Sequence, residues 1–210
     1  MKIIDPYIIV DSDLNGEDIL KTIEKFGRVC YKSEEKITED SAKQFVSNIL
    51  KSGHESVIEH CCISVKIICD RGVSHEIVRH RIASYSQEST RYCNYAKEKF
   101  GNELTFIKPC FWDDMSESSK VKMKIWEKQM LNIEMEYLNL LALGSKPEEA
   151  RSILPNSLKT EIVVTMNLRE WRHFLKLRTS IKAHPQMRQI SLIILNEFKS
   201  NIPVLFEGIN

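Results

Sequence analysis

The spacing of hydrophobic residues changes several times along the chain, and this pattern most constrains the fold. Apolar residues recur with helical spacing in residues 16–26, 39–52 and 116–143. Strand-like alternation or β-branched runs occupy residues 61–69 and 160–165. Because helical segments outnumber strands and the two do not alternate regularly, the pattern predicts an α+β fold. The whole chain of 210 residues suits a single domain over residues 1–210.

Shorter signals divide the rest of the chain. Asp70-Arg71-Gly72 is typical of a turn, followed by helical spacing up to about Arg81. Residues 84–90 have no apolar periodicity and are predicted to form an ordered loop, whereas residues 104–107 are predicted to form a strand. In the long helix, the predicted buried stripe consists of Ile125, Trp126, Ile133, Tyr137, Leu140 and Leu141.

The C-terminal third contains three further predicted helices. Pro147 begins a short helix that carries Arg151. Asn167 and Glu170 have the spacing of a capping box, which predicts a helix through Arg178 with Leu168, Trp171 and Leu175 on its buried side. The last predicted helix begins at His184-Pro185 and is ended by Asn201 and Pro203.

Composition limits the partners that the chain can have. The formal net charge of +1 excludes a surface that is basic throughout, so any basic site must be local. No apolar run approaches the roughly 18 residues that span a bilayer, and the N-terminus lacks the features of a signal peptide. The six cysteines have no disulfide-like spacing and are expected to be reduced and mostly buried. A soluble cytoplasmic protein that binds no membrane is therefore expected.

The densest chemical signal is the segment Arg79-His80-Arg81-Ile82-Ala83-Ser84-Tyr85-Ser86-Gln87-Glu88-Ser89-Thr90-Arg91. Arginine binds phosphate in a planar, bidentate manner, and hydroxyl groups satisfy the remaining acceptors. A solvated polar loop would have a similar composition. Nucleic-acid binding is disfavoured because Glu76 and Glu88 lie among the basic residues and the net charge is near zero.

A second basic set lies on the helix after Asn167. Arg169, His173 and Lys176 share one face, and Arg178 lies near the C-terminal end, where a cation also complements the helix dipole. An ordinary solvated face would look the same, and an N-cap alone would explain Asn167.

Histidines and cysteines upstream raise the question of a metal. His54 and His60 precede the adjacent Cys61 and Cys62, but their spacing matches no standard zinc pattern. Cys61 and Cys62 would also point to opposite faces of a strand. No metal is expected, and a structural role is predicted for His60.

The scattered distribution of the seven glycines excludes both a G-x-G-x-x-G loop and a Walker A loop. A dinucleotide bound by this chain must therefore depend on arginine and polar side chains for its phosphates. Within the basic clusters only Cys93 is a thiol, so a paired Cys–His nucleophile is not evident.

Together these motifs resemble the flavin-dependent thymidylate synthases. The family signature, Arg-His-Arg, seven residues and then Ser, is present as Arg79-His80-Arg81 through Ser89. The segment Gly53-His54-Glu55-Ser56 resembles the upstream flavin segment of the family. Ala150-Arg151, Asn167-Leu168-Arg169, His173 and Arg178 match downstream positions. The resemblance covers residues 53–178.

The resemblance implies a fold, a reaction and a set of ligands. The fold would be a small, mainly antiparallel sheet flanked by helices, of the thymidylate synthase-complementing type. The reaction would be the reductive methylation of dUMP to dTMP, with 5,10-methylenetetrahydrofolate as carbon donor, NADPH-reduced FAD as hydride source and no cysteine nucleophile. Family members are homotetramers whose sites lie between subunits. The implied dUMP contacts are Glu76, Arg79, Gln87, Ser89, Thr90, Arg91, Arg151 and Arg178, and the implied FAD contacts are His54, Ser56, Arg79, His80, Arg81, Gln87, Asn167, Arg169 and His173.

Arg178 is the implied catalytic residue. A fixed arginine beside N3 and the carbonyl groups of uracil favours negative charge on the ring, which makes C5 a better nucleophile. We also expect each site to combine Arg79 and Arg178 of one chain with Arg91 and Arg151 of its partner.

The chain departs from the family pattern at two places. Glu76 stands where members commonly have Gln, and residues 183–188 follow the usual segment only loosely. Two other classes of protein remain as alternatives, a nucleotide-binding regulator without turnover and an RNA-binding module. Bound flavin would exclude the regulator, and the RNA-binding module would bind RNA in a strongly salt-dependent way.

Overall fold

A computed structural model of the chain describes residues 1–10, 14–114 and 116–209. The α+β class predicted from the sequence is confirmed. The helices are α1 (Gly16–Val29), α2 (Ser41–Lys51), α3 (Arg71–Ile77), α4 (Glu117–Ala142), α5 (Pro147–Ala150), α6 (Leu168–Arg178), α7 (Pro185–Asn201) and α8 (Pro203–Phe206). The strands are β1 (Lys2–Ile4), β2 (Tyr7–Val10), β3 (Cys62–Asp70), β4 (Ser84–Gln87), β5 (Thr105–Ile107) and β6 (Lys159–Asn167).

The strands form two small sheets. β1 and β5 pair in parallel, with Ile3 beside Phe106. The other four strands form a sheet in the order β2-β3-β6-β4, which belongs to the mainly antiparallel type. Strands β3 and β6 supply its centre, and their alternating burial matches the period of two that the sequence shows.

The contacts within the chain group into two compact units. The first, which we call the N-unit, contains residues 1–7, 67–79 and 86–162. The second, the C-unit, contains residues 8–66, 80–85 and the described residues from Val163 onward. The single domain expected from the sequence stays a prediction.

The long helix α4 supplies much of the N-unit core. Tyr137 is fully buried and packs near Tyr95, with ring centroids 6.0 Å apart. The buried cluster also contains Leu104, Phe106, Met130, Ala150 and Leu158. The predicted stripe was wrong at one position, because Ile125 is 62% exposed, whereas Met130 lies on the buried face.

In the C-unit, α1 and α2 approach each other closely. A Cβ added to Gly27 would lie 2.6 Å from the ring of Phe45, so any larger residue there would require this ring to move. Glu24 of α1 is buried, and it accepts hydrogen bonds from Arg28 and from Ser41 of α2. A buried carboxylate is tolerated here because it has both partners.

Several local predictions were wrong. Residues 70–72 are not a separate turn, because the side chain of Asp70 accepts a hydrogen bond from Val73 N and begins α3. That helix ends at Ile77 rather than at Arg81. Ser84–Gln87 is a strand rather than a loop, and Pro203 begins the short helix α8 instead of only ending α7.

The six cysteines are unpaired, as predicted, but only Cys61 and Cys69 are buried, whereas Cys30 and Cys62 are exposed. Among the described helices, none combines the length and apolarity that crossing a bilayer requires.

Candidate functional site

The junction between β6 and α6 positions the main cluster of candidate site residues. Asn167 is the last residue of β6 and also the N-cap of α6, where its side-chain oxygen accepts a hydrogen bond from Glu170 N at 2.8 Å. No loop residue separates the strand from the helix. The register of β6 therefore determines which way the faces of α6 point.

The two faces of α6 differ in chemistry. Leu168, Trp171 and Leu175 are fully buried, as predicted, and the indole N–H of Trp171 donates to Ile63 O at 3.0 Å. Arg169 and His173 lie on the exposed face. This helix is therefore anchored by an apolar face and presents a polar one.

A cleft of about 570 Å³ opens along the polar face of α6. Its volume lies within the range of small-molecule sites. Ile82 supplies an apolar side chain that is 68% exposed. The complete lining is Glu55, Glu59, Ile82, Asn167, Arg169, Glu170, His173 and Lys176.

Charge in this cleft is mixed. The guanidinium of Arg169 donates to Glu59 at 2.6 Å, and Arg172 contacts Glu55 at 3.2 Å and also donates to Leu205 O. Because Arg169 and Glu59 are both exposed, their ion pair is worth little and an incoming anion can displace the carboxylate. The cleft thus offers Arg169 and Lys176 to an anionic ligand.

His80 is buried beside this cleft. Its Nδ1 atom lies 3.3 Å from Glu170 Oε1, and its Nε2 atom accepts a hydrogen bond from Arg178 Nε at 3.0 Å. Burial lowers the pKa of His80, and although the hydrogen bond to the carboxylate of Glu170 opposes this, the charge of Arg178 adds to the lowering. Tyr85 donates its hydroxyl to His80 O at 2.5 Å, which fixes the backbone.

Of the predicted nucleotide segment, Arg79 and residues 86–91 lie in the N-unit, whereas residues 80–85 belong to the C-unit. The amide of Gln87 donates to Ser74 Oγ at 2.9 Å and to Thr160 Oγ1 at 3.2 Å, and both hydroxyls belong to buried residues. Beyond it, the carbonyl oxygen of Ser89 accepts from Tyr92 N and Cys93 N in a tight turn. Gln87 is therefore held rigidly.

The arginines of the N-unit are presented to solvent. Arg79, Arg91 and Arg151 are all exposed, and the guanidinium of Arg91 lies 5.4 Å from the ring centroid of Tyr92. In the described part of the chain, none of the three forms an ion pair with a carboxylate. Such side chains can meet a phosphate without first losing an acidic partner.

The predicted contacts divide between the two units. Those implied for dUMP lie in the N-unit, apart from Arg178, and Thr90 is buried among them. Most of those implied for FAD lie in the C-unit, where Asn167, Arg169 and His173 line the cleft. His54, Ser56 and Arg81 are exposed in the same unit without lining it. Gln87 and Arg79, which were implied for both ligands, belong to the N-unit.

Sequence reasoning missed several residues of the cleft. Glu170 was interpreted only as part of a capping box, although it lies three residues before His173 and so shares its helix face. Glu59 and Ile82 were given no role in the site, although both line the cleft. A structural role was predicted for His60. The residue is exposed, and its ring centroid lies 5.1 Å from that of Phe26.

A metal was not expected, and the structure identifies one group for which the question arises. The ligand atoms of His80, Glu170 and His173 lie within 4.8 Å of one another. Both ring nitrogens of His80 already have partners, so a metal ion would have to displace one of them. We assign no metal to this group.

Comparison with known proteins identifies the family. A family model described as thymidylate synthase complementing protein matches residues 13–204. A flavin-dependent thymidylate synthase of Pyrococcus abyssi is 40% identical over 166 residues, which cover 79% of this chain and 66% of that protein. Proteins of the same name from Pyrococcus furiosus (37% identity; 83% of this chain and 70% of the relative) and Geobacter sulfurreducens (33%; 85% and 77%) are also similar. The chain thus spans about two thirds of the length of the Pyrococcus abyssi relative. With the family model matching most of its length, the chain belongs to the family of thymidylate synthase complementing proteins.

Proposed function

We propose that the chain is a flavin-dependent thymidylate synthase. It would convert dUMP to dTMP with 5,10-methylenetetrahydrofolate as carbon donor and NADPH as reductant, without a cysteine nucleophile. The observation that carries this proposal is the presence of two sets of anion-binding side chains, Arg169 and Lys176 in the mixed-charge cleft on α6 and the exposed arginines of the N-unit. The reaction uses two anionic ligands, dUMP and FAD, and each set of cationic side chains can bind the phosphate groups of one of them. The relatives that carry this name support the same reaction.

The residues of the cleft fit FAD. Arg169 and Lys176 can neutralise a pyrophosphate, the exposed His173 can donate a hydrogen bond, and Ile82 offers an apolar contact to a ring. When bound, FAD supplies the hydride transfer that the protein side chains cannot perform. His54, Ser56 and Arg81, exposed in the same unit, are the further proposed contacts.

The N-unit residues would hold the nucleotide. Arg79, Arg91 and Arg151 bind the phosphate, and the fixed amide of Gln87 orients the pyrimidine. Glu76, Ser89 and Thr90 complete the proposed contacts. Arg178 favours negative charge on the uracil ring and is the proposed catalytic residue.

Four of the six thiols are in environments that are poorly suited to nucleophilic attack. Burial raises the pKa of Cys93, and the nearby charge of Glu88 raises it further. Burial likewise raises the pKa of Cys61, Cys69 and Cys110. Since the thiolate is the nucleophilic form, these environments work against covalent catalysis by cysteine.

We further propose a cytoplasmic homotetramer with sites shared between subunits and with no nucleic-acid or membrane partner. The purified protein tests the central proposal directly. It should show a flavin absorption spectrum, release FAD on denaturation and form dTMP from dUMP when both co-substrates are present. Absence of flavin, together with failure to bind added FAD, would reject the enzyme and favour a regulatory nucleotide-binding protein.

A further inference from the structure

The imidazole of His80 lies between two partners of fixed hydrogen-bonding character. Arg178 Nε can only donate a hydrogen bond, so His80 Nε2, at 3.0 Å, must accept it. The ionised carboxylate of Glu170 can only accept, so His80 Nδ1, at 3.3 Å, must carry the proton. The two partners therefore select one neutral tautomer of His80.

The surroundings of the ring leave it little freedom to rearrange. The side chain of His80 is 4% exposed and that of Glu170 is 11% exposed. Phe174 packs edge-on against the imidazole with ring centroids 4.7 Å apart, and His173 approaches at 6.0 Å. Tyr85 holds the backbone carbonyl of His80. A ring flip would break both hydrogen bonds of the imidazole.

Glu170 and Arg178 belong to the same helix but are separated by eight residues, or about 12 Å of helix rise. Neither reaches the other directly along the axis, and the imidazole of His80 contacts both. A guanidinium is planar, so an acceptor at Nε fixes the plane in which its other nitrogens lie.

We propose that Glu170 and His80 are positioning residues that hold the guanidinium of Arg178 for its role at the pyrimidine. Glu170 fixes the tautomer of His80, and His80 accepts the hydrogen bond that orients Arg178. This assignment rests on the proposed function, in which Arg178 favours charge on uracil. It also gives His80 a supporting role behind the cleft, in addition to the flavin contact that the family resemblance implies.

A metal ion bound by His80, Glu170 and His173 would be incompatible with this arrangement. Coordination by His80 Nδ1 would replace its proton and leave Nε2 protonated, facing the N–H of Arg178. The two possibilities therefore predict opposite tautomers for His80.

The first experiment measures the tautomer without reference to turnover. Protein with ¹⁵N-labelled histidine is examined as purified by solid-state NMR, and His80→Asn identifies the His80 signal by its loss. We expect a proton on Nδ1 and none on Nε2 near neutral pH. In Glu170→Gln the amide can donate to His80 Nδ1 as well as accept from it, so we expect a second tautomer, protonated at Nε2, in the fraction of molecules in which the hydrogen bond from Arg178 is lost. A wild-type ring protonated at Nε2, or bound to added Zn²⁺ through Nδ1, would overturn the proposal.

The second experiment measures the effect on the reaction. Glu170→Gln should lower kcat for dTMP formation by about tenfold, as expected for one lost charge-assisted hydrogen bond. The KM for dUMP, the flavin content and the rate of flavin reduction by NADPH should stay near wild type. Glu197→Gln, which neutralises an exposed carboxylate on α7, is the matched control and should have full activity.

Thermal unfolding of each variant separates misfolding from a loss of positioning. If Glu170→Gln is too unstable, Glu170→Asp retains an acceptor-only group and should keep the wild-type tautomer of His80. A folded Glu170→Gln protein with wild-type kcat and a single Nδ1-protonated tautomer would contradict the relay. If wild-type protein makes no dTMP, the proposed function fails, but the NMR result still decides how His80 is held.

Discussion

The arginines of the two groups of site residues differ in their partners and in their exposure. In the C-unit, Arg169 is paired with Glu59, and Arg178 donates to a neutral histidine. In the N-unit, Arg79, Arg91 and Arg151 are exposed, and the fixed residue is the uncharged Gln87.

The difference is suited to the two proposed ligands. A terminal phosphate carries up to two negative charges on one group and gains most from arginines that have no acidic partner. The pyrophosphate of a dinucleotide spreads its charge over two phosphoryl groups and can exchange with a weak, exposed ion pair. The following predictions test whether the two sets are as separate as this comparison requires.

Loss of Arg178 should have the largest effect. Arg178→Ala should retain its fold and flavin but lose about 10²–10³-fold in dTMP formation at saturating dUMP, because one preorganised donor to developing charge is removed. Single-turnover assays with the reduced enzyme measure this step. Near-wild-type turnover would refute the catalytic role, and Lys25→Ala, which removes an exposed cation on α1, serves as the matched control.

Mixing two inactive variants should restore part of the activity. Arg91→Ala and Arg178→Ala should each be inactive alone, but in a mixed pair one site receives both defects and the other receives neither. Random exchange should then restore about a quarter of wild-type activity, because half of the pairs are mixed and half of their sites are intact. Persistent inactivity after proven subunit exchange would show that each site is built from one chain.

Single substitutions in the two sets should separate the two ligands. Arg169→Ala should weaken FAD binding by about tenfold with little change in the affinity for dUMP, whereas Arg151→Ala should do the reverse. Flavin fluorescence and equilibrium dialysis measure the two affinities. Equal weakening of both ligands by either variant would contradict a divided site.

Acidification should reduce stability through His80. Burial lowers its folded pKa below the ordinary value, despite the opposing hydrogen bond to the carboxylate of Glu170, and the charges of Arg178 and His173 lower it further. The unfolded chain therefore binds the proton more readily, and the contribution is complete above the ordinary pKa. It is lost as the pH falls from about 7 towards 5. Urea unfolding of wild type and His80→Asn should show a smaller pH dependence in the variant over this range.

Removing the thiols should have the smallest effect. A variant with all six cysteines changed to Ser or Ala should, if folded, form dTMP within about twofold of the wild-type rate, because burial disfavours the thiolate of Cys93. Cys93→Ser alone is the matched control. Complete loss of turnover traced to one cysteine in a folded, flavin-loaded variant would refute the absence of a thiol nucleophile.

The sequence correctly predicted those helices and strands in which buried apolar residues recur at a regular spacing. Helix α6 was predicted with its cap, its buried face and its end at Arg178, because Leu168, Trp171 and Leu175 report the core directly. Strand β4 was missed because its burial alternates without apolar residues. Tyr85 and Gln87 are half-buried, and Ser84 and Ser86 are exposed. The sheet places it at an edge, where pairing with β6 rather than hydrophobicity makes it a strand.

The site was predictable to a similar extent. The basic residues and their sequence motifs identified the two sets of contacts, but the hydrogen bonds between Glu170, His80 and Arg178 connect residues up to 98 positions apart. No local pattern encodes such a connection. The exposure of Ile125 was also not predictable from a local pattern. Helical spacing identifies an apolar face of α4 but does not determine which residues at its margin contact the core.

The direct passage from β6 into α6 has a consequence for how this site can be altered. Asn167 ends one element and caps the next, so the chain has no spare residue to absorb a change in length there. Inserting one residue would rotate the helix by about 100° and turn Arg169, His173 and Arg178 away together. Substitutions can therefore change the side chains of this helix face one at a time, whereas an insertion at the junction would displace all of them at once.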